Sequence, residues 1–221
     1  MGLHAIDVLI FGATGMVGTE VLYQCLGCDQ IDRVVTIGRH ATGVVHPKLV
    51  EIEHQNFLDF TLLEVELSDA DICIYCLGVY QNQVPADTFW EITVDYLSAL
   101  INALESVNRN LTFCLFSAQG ADPTEKSPFR FAKAKGRAEK TLLGSSINQK
   151  YVFRPGFIKP GRKSATAGWS GRIAEQFYKL IPVIGIDAVD LSKVMVNIGL
   201  NGSSTSILSN REMRNLAHSL N

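Results

Sequence analysis

The sequence predicts an α/β fold: a doubly wound, mostly parallel sheet with helices on both faces. Three observations carry that expectation. Seven short runs are continuously apolar or β-branched, as strands covered on both faces are. Amphipathic stretches of helical period separate them, the pattern of βαβ units. A glycine-rich turn, "GATGMVG", lies between the first run and the first helical pattern. Right-handed crossovers then leave the doubly wound architecture as the main solution.

In chain order, "AIDVLIFG" (5–12) predicts the first strand and 16–26 the helix that follows it. "RVVTIG" (33–38) and "KLVEIE" (48–53) predict two more strands, with a helix near 59–67. "DICIYCLG" (71–78) leads into a long helical pattern at 85–107, whose stripe of Phe89, Ile92, Leu97, Leu100, Ile101 and Leu104 is suited to the core or to a second subunit. "NLTFCLFS" (110–117), a helix near 128–143 and "KYVFRPG" (150–156) continue the alternation. Helices near 170–180, 188–200 and 210–219 flank a last strand, "STSILS" (204–209). We expect one domain over 1–221, with 157–190 as a loop and helix on the substrate side of the sheet.

Composition excludes several function classes. With 47% hydrophobic and 19% charged residues the 221-residue chain can build a core, and a net charge of −2 offers no general attraction to nucleic acid or membrane. No apolar run approaches the ~18 residues that read as a membrane span. The opening "MGLHAIDVLIFGATG" lacks a basic n-region and a cleavage site, so a cytoplasmic protein is expected. Five cysteines, an odd number, suit free thiols. "CLGC" and "CIYC" imitate zinc-knuckle spacing. In a strand, however, residues three apart point to opposite faces, so we expect buried thiols and no metal.

The chemistry is concentrated at strand ends. Gly12, Gly15 and Gly18 supply a sharp turn, a close backbone approach to a pyrophosphate and tight strand–helix packing. Amides from Thr14 through Met16 to Val17 would face the phosphates. Arg39 ends the second strand in "TIGRH", where an acidic residue would grip the adenine ribose of NAD. A cation there favours the 2′-phosphate of NADP. The basic residues after the sixth strand, Arg154, Lys159, Arg162, Lys163 and Arg172, are suited to an anionic substrate, to the cofactor phosphates or to solvent.

Taken together, "GATGMVG", "IGRH", "NF" (56–57), "CLGVYQ" (76–81), "VDY" (94–96), "SAQGAD" (117–122), "KAKGRAE" (133–139) and "FRPG" (153–156) resemble the atypical short-chain dehydrogenase/reductase superfamily. The likeness is to its branch of Tat-interactive oxidoreductase-like and epimerase/dehydratase-like proteins, and it runs through most of the chain. It implies a Rossmann fold binding NADP(H) by preference, with NAD(H) as the alternative. It implies that Asn56 and Phe57 hold the adenine, with Asn standing where Asp is usual. Leu77, Gly78 and Val79 would line the cofactor, and Pro155, Gly156, Phe157 and Ile158 would border the nicotinamide. Ser117 matches the active-site serine and Lys135 the lysine that binds the nicotinamide ribose.

Phe131 departs from the pattern, standing where the catalytic tyrosine belongs. Tyr80, at the carboxyl edge after the fourth strand, is the candidate replacement phenol, with Ser117 and Lys135 as the other proton-handling groups. Two readings follow. One is an oxidoreductase acting on an unknown small carbonyl substrate. The other is a catalytically silent NADP(H)-binding sensor or interaction module. A nucleotide-sugar epimerase or dehydratase fits less well, for lack of a sizeable C-terminal substrate domain. Monomer and homodimer both remain open, and neither nucleic acid nor membrane is an expected partner.

Overall fold

A computed structural model of the chain describes residues 5–161 and 185–220. Its main sheet has seven strands: β1 (Asp7–Phe11), β2 (Arg33–Gly38), β3 (Leu49–Glu53), β4 (Ile72–Tyr75), β5 (Thr112–Phe116), β6 (Gln149–Arg154) and β9 (Ile207–Ser209). They lie in the order β3-β2-β1-β4-β5-β6-β9, and every adjacent pair is parallel. The order reverses beside β1, which puts the topological switch point at the carboxyl ends of β1 and β4.

Alternation along the strands divides the core in two. Val8 and Ile10 of β1, Ile72 and Ile74 of β4 and Cys114 of β5 face one layer. That layer is closed by α1 (Met16–Leu26), α6 (Ala188–Asn201) and α7 (Asn210–Ser219). Leu9, Phe11, Cys73, Tyr75, Phe113 and Leu115 face the other, covered by α2 (Glu64–Asp69), α4 (Tyr96–Val107) and α5 (Arg130–Gly144). A one-residue slip in register would exchange the two faces. The α4 stripe is used inside the chain: Leu97, Leu100, Ile101 and Leu104 are buried.

Three features go beyond the sequence reading. The long helix divides into α3 (Ala86–Trp90), a π-helical turn at Glu91–Asp95, and α4. A two-stranded parallel sheet pairs β7 (Phe157–Lys159) with β8 (Gly185–Asp187), closed by a Lys159–Asp187 ion pair at 3.5 Å. The Tyr75 hydroxyl is buried with no hydrogen-bond partner among the described residues. The predicted helix at 170–180, and with it Arg162, Lys163 and Arg172, lies outside the described residues.

Candidate functional site

Gly12 leaves β1 with φ of +80°, a left-handed conformation in which a side chain is strained, and the Gly15 amide donates back to the Gly12 carbonyl at 3.0 Å. This turn delivers α1 with its N-terminus bare. Gly15 is the N-cap, no side chain caps it, and no acidic residue lies in the first turn. By contrast, Asp187 caps α6, and Ser209 with Glu212 forms a capping box on α7. An uncapped helix start keeps unsatisfied amides and a partial positive charge, which suits an anion.

That helix start opens onto a cavity of about 170 Å³ at the carboxyl ends of β1, β2 and β4. Gly12, Thr14 and Gly15 after β1 line it together with Arg39 and His40 after β2, Phe57 after β3, and Leu77 and Gly78 after β4. Phe57 is fixed by a stacked contact with Tyr96 at 5.5 Å and an edge contact with His54. Arg39 is exposed, and no ion pair engages its guanidinium among the described residues. The residues therefore suit the adenosine diphosphate half of a dinucleotide: bare amides for phosphate, an unpaired cation, and an aromatic wall.

Other expected residues stand apart from this cavity. Met16 packs against the core, the Val17 side chain is buried in it, and Gly18 lies under the turn. Asn56 is exposed, and its amide oxygen accepts from the Leu58 amide at 3.2 Å, closing a local turn. Val79 packs with Phe89 and Val94. Pro155 is buried and its carbonyl accepts from the Gln119 amide; Gly156 donates to Asn210 Oδ1. Phe157 and Ile158 belong to β7. Tyr80 is 65% exposed on the loop after β4.

Two of the expected proton-handling residues, Ser117 and Lys135, both reach the carboxyl end of β5. Ser117, directly after β5, is buried and donates its hydroxyl proton to Glu139 Oε1 at 2.5 Å. Glu139, fully buried on α5, also accepts from Arg154 Nε at 2.9 Å and from Arg154 Nη2. Lys135, one turn before Glu139, places Nζ 3.4 Å from the Phe116 carbonyl and 5.7 Å from the Phe116 ring centroid. Phe131 packs in a small apolar cluster with Phe89, Val94 and Ala134.

Sequence reasoning missed Glu139, although it stood in "KAKGRAE" four residues after Lys135, the spacing that puts two side chains on one helix face. Thr36 and Cys76, which also line the cavity, were missed as well. The five cysteines are free, and burial raises the thiol pKa of Cys25, Cys73, Cys76 and Cys114, that of Cys76 to about 12.

Burial brings the Lys135 ammonium down from 10.5 to about 8, against the opposing pull of Cys76 and Glu139. The unfolded chain keeps this proton to about 10.5, so between the two values the unfolded state binds more protons and stability rises with pH. Below about 8 both states are protonated and the penalty of the buried ammonium is complete. The buried thiols and Tyr75, with raised values, act in the opposite sense once unfolded thiols ionise near 9. The stability difference between wild type and Lys135→Met isolates the lysine. Measured by urea unfolding, it is expected to be flat below pH 8 and to shift in favour of wild type above it.

No family model matches the chain. The chain is 28% identical to protein HTATIP2 of Rattus norvegicus over 80% of this chain and 72% of that protein. It is 24% identical to the mitochondrial protein FMP52 of Candida albicans, over 97% of this chain and all of that one. Among solved structures, a short-chain dehydrogenase from Burkholderia cenocepacia in complex with NADP superposes with a TM-score of 0.70 at 14% identity, covering all of this chain and 94% of the other. The Bordetella bronchiseptica enzyme WbmG in complex with NAD gives 0.69 at 16% identity, over 93% and 72%. The fungal relatives from Candida, Aspergillus and Lodderomyces are all named mitochondrial, which corrects the expectation of a cytoplasmic protein. The chain is a Rossmann-fold protein, and the atypical short-chain dehydrogenase/reductase superfamily fits both its motifs and its architecture.

Proposed function

We propose that the chain binds NADP(H) in preference to NAD(H) and acts as an oxidoreductase on a small carbonyl compound. The observation that carries this reading is the junction, in one cavity, of the uncapped α1 N-terminus with the unpaired Arg39 guanidinium. The amides after Gly12 would take the diphosphate, Arg39 the 2′-phosphate, and Phe57 and Leu77 the adenine. Solved structures of the same fold carry NAD or NADP, which supports the coenzyme class. When bound, the nicotinamide supplies or accepts a hydride. Lys135, with a pKa near 8, holds a proton it can release close to neutrality, the condition for general acid–base work. The proton of Ser117 is engaged by Glu139, so that serine positions rather than donates.

Calorimetric titration tests the coenzyme. NADPH is expected to bind more tightly than NADH, and Arg39→Ala to lose about 10–100-fold for NADPH while leaving NADH nearly unchanged, the worth of one or two charge-assisted bonds. Equal binding of both coenzymes by wild type would remove the assignment of Arg39. A second reading, a silent NADP(H)-binding sensor, is favoured by Phe131, which offers no hydroxyl and is packed among apolar side chains. Coenzyme binding without NADPH consumption on any of a panel of small aldehydes and ketones selects that reading.

A further inference from the structure

A second cavity, of about 440 Å³, lies at the carboxyl ends of β5, β6 and β9, on the same edge of the sheet as the cofactor cavity. That volume is within the range of small-molecule sites. Its polar walls come from Gln119 after β5, Arg154 at the end of β6, and Ser209, Asn210 and Arg211 where β9 passes into α7. Gln119 is two residues beyond Ser117, and Arg154 shares the Glu139 carboxylate with Ser117. The cavity therefore adjoins the Ser117, Glu139 and Arg154 cluster.

Among the described residues two arginines line the cavity and no aspartate or glutamate does. Glu139 takes the Nε and Nη2 atoms of Arg154 and fixes the plane of its guanidinium. It offsets that charge, so Arg211 supplies the net positive potential. Among the described residues no hydrogen bond or ion pair engages the Arg211 guanidinium or the Gln119 side-chain amide. The helix end contributes little, because Glu212 already accepts from the Ser209 amide and hydroxyl in the capping box. A guanidinium fork held in one plane, with a second beside it, suits a planar or tetrahedral oxyanion.

We propose that this cavity is the substrate pocket and that the substrate carries a carboxylate or phosphate group, bound by Arg211 and Arg154. The carbonyl-substrate part of this inference rests on the oxidoreductase reading; the anion site itself does not. Arg154 is unsuited to the test, since its removal leaves Glu139 unpaired in the interior. Arg211 is exposed and has no other polar side-chain partner among the described residues.

The experiment is calorimetry of the full chain with malonate, inorganic phosphate and the neutral malonamide, with NADP+ present so that the cofactor cavity is filled. Malonate or phosphate is expected to bind and malonamide not to. Arg211→Ala is expected to weaken the bound anion about 10-fold or more, with Arg211→Lys intermediate and NADPH affinity unchanged. Which anion responds identifies the group. Failure of both anions to bind, or equal binding by Arg211→Ala, overturns the proposal. If NADP+ does not bind while an Arg211-dependent anion site persists, the coenzyme reading has failed and the anion site stands.

Discussion

Replacing Glu139 by alanine is expected to lower stability by about 3–5 kcal/mol, toward the lower end of that range, because Arg154 keeps about a quarter of its side chain in solvent. The carboxylate itself is fully buried and joins three elements: it accepts from Ser117 after β5 and twice from Arg154 on β6, while its own backbone is in α5. Its loss leaves a partly buried guanidinium without its carboxylate and the Ser117 hydroxyl without its acceptor, and each unsatisfied group carries its own desolvation cost. Glu139→Gln keeps the volume and one acceptor oxygen and is expected to lose roughly half as much. The paired replacement Glu139→Leu with Arg154→Met removes both charges and should recover most of the loss, since buried ion pairs often contribute little over apolar packing. Urea unfolding of the four proteins decides. A loss below about 1 kcal/mol in Glu139→Ala would show that the pair does not organise this end of the sheet.

Gly18→Ala is the second large effect, and it acts on fold and binding together. A methyl group on Gly18 would lie 2.0 Å from the Gly12 carbonyl oxygen, 2.8 Å from the Gly12 carbonyl carbon and 3.1 Å from Ala13 Cα. All three are backbone atoms and cannot rotate away, so α1 must lift off the turn. Overpacking of this kind costs about 1–3 kcal/mol, occasionally more. The displaced helix start carries the amides assigned to the diphosphate, so NADPH affinity is expected to fall about 100-fold, equivalent to about 3 kcal/mol. Gly15→Ala is the control. Its nearest contact would be the Gly12 oxygen at 3.3 Å, which a small adjustment relieves, and its stability loss is expected to stay below about 1 kcal/mol. Thermal unfolding and calorimetric titration measure both. Wild-type NADPH affinity in a folded Gly18→Ala protein would separate the turn from the coenzyme.

Local rules made much of this protein legible from the sequence alone. The seven strands of the main sheet and the helices between them follow from apolar period, because strand and helix patterns are properties of a dozen neighbouring residues. The tight turn at Gly12 follows from glycine spacing, since a left-handed φ and a close helix approach each exclude a side chain. The Phe131 departure was equally plain, since a missing hydroxyl needs no coordinates to be seen. The tertiary structure decided which distant residues share a polar partner. Ser117, Glu139 and Arg154 come from three elements, and only burial of the carboxylate forces them together. The closure of Asn56 into its own turn and the commitment of the α4 stripe to the core depend on competing contacts that no periodicity records. The pairing of Arg154 with Arg211 across one cavity depends on β9 docking beside β6 more than fifty residues away in the chain, a choice made by packing and not by local propensity.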